Sequence, residues 1–209
     1  MHVCLNFDFQ DSNRSWVRSF NYGNTQFHTK ACIYYGAMNT RCQTPYKQKF
    51  TTYAEVSTEF KDFNHFAEWC QTQKGYTGCD DKKNWCLDKD ILIIGNKTYS
   101  PDTCVFVPEF INVLFSNKKI TGLPFGVTKH LNRYRARCST LQGRIHLGCF
   151  TTPMEAHYAW QRAKAEHIYN IAHIYLKLPE SDLRVFNALI LRHNLIKSDA
   201  NNGVETLVA

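Results

Sequence analysis

The order of side chains from Arg133 to Cys138 constrains the fold more than any other stretch of the chain. It reads Arg-Tyr-Arg-Ala-Arg-Cys, so basic residues alternate with smaller or apolar ones. Side chains in an extended strand point alternately to opposite faces, which places three arginines on one face and Tyr134, Ala136 and Cys138 on the other. The segment is therefore predicted to be a strand with one basic face and one face packed on a core.

Two neighbouring segments predict further strands. Short strands are expected near Phe125–His130, Arg133–Ser139 and Arg144–Gly148, joined by Leu131-Asn132 and by Leu141-Gln142-Gly143. In the last strand, Arg144 and His146 should point outward while Ile145 and Leu147 point inward. The sequence thus predicts a three-stranded antiparallel sheet whose basic side chains share one face.

A strong helix signal follows the third strand. Thr151 or Thr152 can cap the helix, Pro153 suits its first turn, and Glu155 complements the positive end of the helix dipole. Small residues at Ala156, Ala159 and Ala163 give the helix a face that can approach a sheet closely. The helix is predicted to pack on the sheet.

The net charge of the chain, +7 at pH 7, is concentrated around this sheet. Between Lys118 and Phe150 there is no Asp or Glu, and the basic residues are Lys118, Lys119, Lys129, Arg133, Arg135, Arg137 and Arg144. A solvated surface usually mixes both signs of charge, so a stretch of one sign indicates an acidic polymer as partner. Arginine forks on a two- or three-stranded sheet suit the major groove of DNA.

These segments resemble the Apetala-two, or ethylene-response-factor, DNA-binding domain over about fifty residues. The resemblance is carried by Gly126-Val127, the alternating basic strand, the corner Leu147-Gly148-Cys149-Phe150 and the helix start Glu155-Ala156. In that family, side chains on the sheet contact bases and phosphates. By position this implies that DNA is contacted by Thr128, His130, Arg133, Arg135, Arg137, Arg144 and His146. Thr128 and His130 stand where plant members carry arginines, so the preferred DNA sequence does not carry over.

An earlier part of the chain reads as strand, turn, strand and helix. A strand is predicted over Trp85–Ile94, turns at Gly95–Lys97 and Tyr99–Asp102, a strand at Cys104–Val107, and a short helix from Pro108 through Asn112. This stretch is similar to the HNH endonuclease unit of phage homing enzymes, a two-stranded hairpin and a helix that hold one divalent ion.

The HNH resemblance implies roles for five residues. Asp88 would be a metal ligand at the end of the first strand, Asn112 a second ligand on the helix, and Asn96 the structural asparagine of the hairpin. Lys89 stands where the family has its catalytic histidine, so it would stabilise the phosphate while Asp90, or a histidine such as His65, acts as base. The implied cofactor is Mg²⁺ or Mn²⁺. The alternative from the residues alone is a solvated hairpin end at Asp88–Asp90 with Asn96 forming a turn.

Nine cysteines at irregular spacings, without any Cys-x-x-Cys pair, argue against a disulfide framework. A structural zinc site from Cys70, Cys79, Cys86 and a histidine such as His65 is the less favoured alternative to reduced, partly buried thiols. No apolar stretch approaches the roughly eighteen residues needed to cross a bilayer, and no basic cluster precedes an apolar run at the amino terminus. We therefore expect no membrane partner and a cytoplasmic location, that of the host cell if the protein is phage-encoded.

The expected fold class is α+β, with an HNH-like ββα unit followed by the sheet-and-helix module. The expected segments are residues 1–52 of unreadable role, 53–117 as the nuclease part, 118–176 as the DNA-binding part, and 177–209 as a helix with a frayed tail from Lys197. The leading hypothesis is a metal-dependent, homing-type endonuclease acting on double-stranded DNA. The alternatives are a catalytically inactive DNA-binding regulator or inhibitor on the same scaffold, an RNA-binding protein, and a zinc-stabilised adaptor.

Overall fold

The computed structural model describes residues 2–77, 85–115 and 122–207, and the chain divides into two compact units. The amino-terminal unit is Met1–Pro108 and the carboxy-terminal unit is Glu109–Ala209. This division falls before the boundary predicted between residues 117 and 118, and residues 116–121, including Lys118 and Lys119, lie outside the described part of the chain. The fold class is α+β, with helices and several small sheets.

The amino-terminal unit begins with a small sheet in the order β1-β3-β2. Its strands are β1 (His2–Cys4), β2 (Ser19–Tyr22) and β3 (Thr25–His28), with β1 parallel and β2 antiparallel to β3. Helix α1 (Lys30–Cys42) follows. The remaining elements are α2 (Thr44–Lys49), β4 (Ser57–Thr58), α3 (Phe63–Gln71), α4 (Lys74–Thr77), β5 (Cys86–Asp88), β6 (Thr98–Tyr99) and β7 (Val105–Val107).

Aromatic side chains form much of the core of this unit. Helix α3 begins where the Asp62 side chain accepts a hydrogen bond from the backbone N–H of His65 at 2.8 Å. Its buried residues include Phe66 and Trp69, and the Trp69 ring lies 5.7 Å from the ring of Phe106 on β7. The aromatic residues on one side of α3 therefore lie in the core. They support the pair β5–β7, which is antiparallel, and thereby position the end of β5.

The carboxy-terminal unit contains the predicted three-stranded sheet and its helix. After α5 (Glu109–Asn112) come β8 (Val127–His130), β9 (Arg133–Thr140) and β10 (Gly143–Phe150), all antiparallel in the order β10-β9-β8. Helices α6 (Pro153–Leu176) and α7 (Leu183–Asn202) complete the unit. Thr152 and Glu155 form a reciprocal capping box at the start of α6, which identifies Thr152 as the cap.

The sheet packs on α6 through its apolar face. Val127, Ala136 and Ala156 are buried together, with Tyr134, Leu147, Phe150 and Ala159 packed around them. Gly126, at a φ of 75°, lies so close to Trp160 that an added Cβ would come within 2.0 Å of the ring. A glycine is therefore required where the chain enters β8, because no other residue fits between the sheet and α6.

Residues 197–207, predicted to be a frayed tail, are held against α6. Helix α7 extends to Asn202 rather than ending at Ile196, and Gly203 terminates it in the left-handed conformation. Side chains of α6 then hold the following segment. Tyr158 donates to the backbone oxygen of Gly203, Gln161 donates to Val204 and Thr206, and the fully buried His157 accepts from the Thr206 N–H at 3.0 Å. The segment is held by these hydrogen bonds and not by a regular pattern of apolar residues, so nothing in its sequence indicated that it packs on α6. In the described ranges, no helix combines the length and apolarity required to cross a bilayer.

Candidate nucleic-acid interface and the Asp88 loop

Strand register places all seven predicted DNA-contacting residues on one face of the sheet. Residues directly opposite in an antiparallel pair point to the same side. The opposed pairs are Thr128 with Arg135, His130 with Arg133, and His146 with Arg137, while Arg144 lies opposite Ser139. Because Arg133, Arg135 and Arg137 alternate with the inward residues of β9, the three pairs and Arg144 share the outer side. We call this surface the arginine face.

A β-bulge in β10 keeps the two sides of the sheet in phase. The register shifts between His146 and Gly148, and Gly148 takes a φ of 127°. Beyond the bulge, Phe150 lies opposite Tyr134 on the inner side, and Cys149 lies opposite Arg135 on the arginine face. Cys149 was not among the predicted contacts, because simple alternation cannot foresee an extra residue in the strand.

The inner side of β10 is less covered than predicted at one end. Ile145 lies opposite the buried Cys138, so its register is inward as expected. Its side chain is nevertheless 44% exposed, whereas Cys138 is fully buried. Since the buried cluster between sheet and helix is formed by Val127, Ala136 and Ala156, Ile145 lies at the periphery of the packed region.

The arginine face carries positive charge without carboxylates of its own. Residues 122–150 include no Asp or Glu. Within the part of the chain that the structure describes, the salt bridges found involve other residues, and Arg133, Arg135, Arg137 and Arg144 form none. Arg133 and Arg144 are exposed, whereas Arg135 and Arg137 are half-buried by their neighbours. Their guanidinium donors are thus presented in a row suited to an anionic ligand.

The Asp88 carboxylate closes a turn at the end of β5. One oxygen accepts hydrogen bonds from the backbone N–H of Asp90 at 2.9 Å and of Ile91 at 2.7 Å. This turn ends the strand at Asp88, so the longer strand predicted over Trp85–Ile94 is wrong. Apolar residues after Asp88 had suggested continued extension, but the side chain of Asp88 competes for the backbone donors and bends the chain.

Burial, followed by the nearby charge of Asp90, raises the pKa of the Asp88 carboxyl to about 6. Two backbone hydrogen bonds from Ile91 and Asp90 act against this by favouring the ionised form. The two carboxylates therefore interact through space, and Asp90 is exposed while Asp88 is half-buried. Such a pair is attractive to a hard divalent cation, since a cation would neutralise both charges.

Asn96 and Lys89 tie the two ends of the loop that follows β5. The Asn96 side-chain amide donates to the backbone oxygens of Lys89 at 2.6 Å and Thr98 at 2.8 Å, and to Thr103 at 3.1 Å. Its carbonyl accepts from the Thr98 N–H at 3.1 Å. The Lys89 ammonium, buried in the loop, donates to the Asn96 backbone oxygen at 2.9 Å and to Asp90 at 3.0 Å.

The other predicted site residues are distributed differently. Asn112 is the last residue of α5 and belongs to the carboxy-terminal unit, whereas Asp88, Lys89, Asp90 and Asn96 belong to the amino-terminal unit. His65 lies on α3, where its Nδ1 accepts from the Lys61 N–H at 3.3 Å. Cys79 of the possible zinc set lies outside the described residues, and Cys70 is fully buried. Among the described residues, no group of three or more His, Cys, Asp or Glu side chains is arranged to hold a metal.

Comparison of the chain with family models, with curated proteins and with solved structures gives no match. The functional interpretation therefore depends on the geometry of the arginine face and of the loop from Asp88 to Asn96, which we call the Asp88 loop.

Proposed function

We propose that the protein binds double-stranded DNA through the arginine face. The observation that carries this proposal is the strand register, which collects four arginines and two histidines on one side of a sheet whose strands hold no carboxylate. Guanidinium groups pair bidentately with guanine edges and with phosphates, and a narrow antiparallel ribbon can enter the major groove. The helix α6 supports the sheet from the opposite side and leaves the arginine face open.

The composition of the face favours a duplex over a single strand. Proteins that bind single-stranded DNA or RNA stack unpaired bases on exposed aromatic rings. On this sheet the aromatic residues Tyr134 and Phe150 lie on the inner side, against the buried cluster of α6. The rings on the outer side of the described strands are the imidazoles of His130 and His146, so the face offers mainly hydrogen-bond donors and little aromatic surface for stacking. This composition favours a duplex over the RNA-binding alternative.

We further propose that the Asp88 loop catalyses metal-dependent hydrolysis of the DNA backbone. Its two carboxylates offer the oxygen ligands preferred by Mg²⁺ and Mn²⁺, which commonly use one or two carboxylates together with waters and substrate phosphates. Such an ion would neutralise charge on the phosphate that is attacked. In this proposal Asp88 binds the ion, and the exposed Asp90 binds it too or accepts a proton from water.

A DNA-binding regulator without cleavage activity is the second candidate, and the position of Lys89 favours it. The ammonium of Lys89 is buried and donates to Asp90 and to the backbone of Asn96, so it holds the loop together. A group engaged in this way is poorly placed to stabilise the attacked phosphate, which is the role that the HNH resemblance implies for Lys89. In that case Lys89, for which the HNH resemblance implies a catalytic role, has only a structural one.

Supercoiled plasmid separates these two candidates. Wild-type protein, Asp88→Ala and the matched control Asp102→Ala, which removes an exposed carboxylate of the 101–103 turn, are each incubated with plasmid in Mg²⁺ and in Mn²⁺. A nuclease nicks or linearises plasmid in the wild type and in Asp102→Ala but not in Asp88→Ala, and all three shift the DNA in a gel containing EDTA. Binding by all three proteins without cleavage in either metal supports the regulator. Absence of binding contradicts both.

A further inference from the structure

Leu131 is unfavourable where it lies for two physical reasons, namely its backbone conformation and the exposure of its apolar side chain. It is the first residue of the two-residue turn between β8 and β9, and it has a φ of 52°. Leucine is disfavoured in this left-handed region because its Cβ crowds the backbone. Its side chain is also 82% exposed, so the free protein gains nothing from its apolar surface.

The other hairpin of the sheet shows the usual solution. Between β9 and β10, the positive φ of 116° falls on Gly143, which tolerates it without a steric cost. Leu141 in that turn is 46% exposed and does not have a positive φ. A positive φ is tolerated freely by Gly and, among the other residues, best by Asn and Asp, and a two-residue hairpin turn with positive φ at its first residue alone usually has Gly there. The strain at Leu131 therefore belongs to this residue and is not a general property of the sheet.

The place of Leu131 connects it to the arginine face. It directly follows His130, which lies opposite Arg133 on that face. A residue that is unfavourable in both conformation and solvation, at the edge of a binding surface, indicates a role in the bound state. A phosphate offers an apolar side chain no favourable contact, whereas thymine methyl groups, sugars and opened base steps do.

We propose that Leu131 is a DNA contact, an apolar side chain that packs into a groove beside the charged contacts of the arginine face. The proposal rests on the proposed function of that face. It separates the two kinds of contact, since arginines supply the electrostatic, salt-sensitive part of the affinity and Leu131 supplies a salt-independent part. Burial of the leucine on binding also explains why a strained, exposed leucine is present at the turn.

Leu131→Asn tests the proposal because the fold and the DNA contact should respond in opposite directions. Asparagine tolerates a positive φ better than leucine does, so the melting temperature of the full-length variant should rise by about 2–4 °C. Affinity for a fluorescent 24-base-pair duplex of mixed sequence should fall about tenfold, equally at every salt concentration. Leu131→Met, which keeps an apolar side chain, should bind almost as wild type, and Leu141→Asn is the matched control for loss of an exposed leucine.

The outcomes are distinct. A raised melting temperature with unchanged affinity in Leu131→Asn would show that the leucine makes no contact, while binding by the wild type would leave the proposed function intact. A fall in both stability and affinity would assign Leu131 a structural role and overturn the inference. An equal loss of affinity in Leu141→Asn would also overturn it, because the effect would not be specific to the strained turn. If the wild type itself fails to bind the duplex, the proposed function fails, and this inference fails with it.

Discussion

Asn96 and Lys89 each donate a hydrogen bond to the backbone oxygen of the other. The Asn96 amide reaches the Lys89 oxygen at 2.6 Å, and the Lys89 ammonium reaches the Asn96 oxygen at 2.9 Å. The reciprocal pair closes the loop that follows β5, beside Asp88 and Asp90, whose carboxylates bind the loop backbone and the Lys89 ammonium. It explains how a short strand and an irregular loop can hold two interacting carboxylates in place.

Replacement of Asn96 by alanine should destabilise the amino-terminal unit by about 2–4 kcal/mol. The variant loses the hydrogen bonds that its side chain makes to the backbone of Lys89 and Thr98 and to Thr103, each worth about 0.5–1.5 kcal/mol. Urea unfolding followed by tryptophan fluorescence measures the free energy of unfolding. The neighbouring exposed Lys97→Ala should change it by less than about 0.5 kcal/mol, and equal effects of the two variants would refute the role given to Asn96.

Asp88→Asn should stabilise the protein near pH 7.5 and have little such effect near pH 4. The pKa of Asp88 is raised to about 6 in the folded chain, mainly by burial, so between pH 4 and 6 the folded state binds more protons than the unfolded state. Its contribution to stability is present below that window and is lost as the pH rises through 6. Asparagine avoids this loss and can still accept from Asp90 and Ile91. We expect a gain of about 1–3 kcal/mol at pH 7.5.

Thermal unfolding of wild type and Asp88→Asn at both pH values checks this expectation. A variant that is less stable than wild type at pH 7.5 would show that the ionised carboxylate is favourable where it lies. A stabilising substitution that also abolishes cleavage would show that the carboxylate is retained for activity at the expense of stability.

Gly126→Ala should destabilise the carboxy-terminal unit by about 3 kcal/mol or more. The new Cβ would lie 2.0 Å from the Trp160 ring, and the backbone φ of 75° is unfavourable for alanine. Gly143→Ala is the control, because Gly143 has a positive φ but nothing within 4 Å of an added Cβ. Circular dichroism melting should show a loss for Gly143→Ala from backbone strain alone and a clearly larger loss for Gly126→Ala, which adds the clash with Trp160. Similar losses would contradict the close packing of β8 on α6.

Thr206→Val should lower the stability of the carboxy-terminal unit by about 1–3 kcal/mol, although the residue lies close to the end of the chain. Its hydroxyl donates to Asp199 at 2.7 Å and accepts from the buried Gln161 at 2.9 Å. Val204→Ala removes an exposed side chain two residues earlier and should have almost no effect. Equal melting temperatures for Thr206→Val and wild type would mean that this segment is frayed, as the sequence had suggested.

Sequence periodicity predicted the parts of the fold that depend on alternation and on helix caps. The arginines of β9 and the capping box of Thr152 and Glu155 are local signals, so they could be found without a structure. The prediction failed where side chains bind distant or competing backbone groups. Asp88 ends its strand by binding two backbone N–H groups, and His157 holds Thr206, which is far from it in sequence.

The arginine face could be predicted from the sequence to about the same extent as the fold. The outer positions of β8 and β9 follow from alternation and a two-residue turn, which is why the predicted contacts share a face. The appearance of Cys149 on that face depends on a bulge, and the strain at Leu131 depends on a backbone torsion angle. Neither can be read from residue types alone, because Leu131 is an ordinary apolar residue in the sequence.

The most direct test of the central claim is the salt dependence of duplex binding by Arg135→Ala/Arg137→Ala, compared with Lys177→Ala/Lys197→Ala. Both double variants lose two positive charges, but only the first loses them from the arginine face. We predict that the arginine variant binds a 24-base-pair duplex at least about tenfold more weakly and that its slope of log affinity against log salt falls by about 2, while the lysine variant stays close to wild type. Equal binding by the two variants would contradict the assignment of the arginine face as the DNA-binding surface.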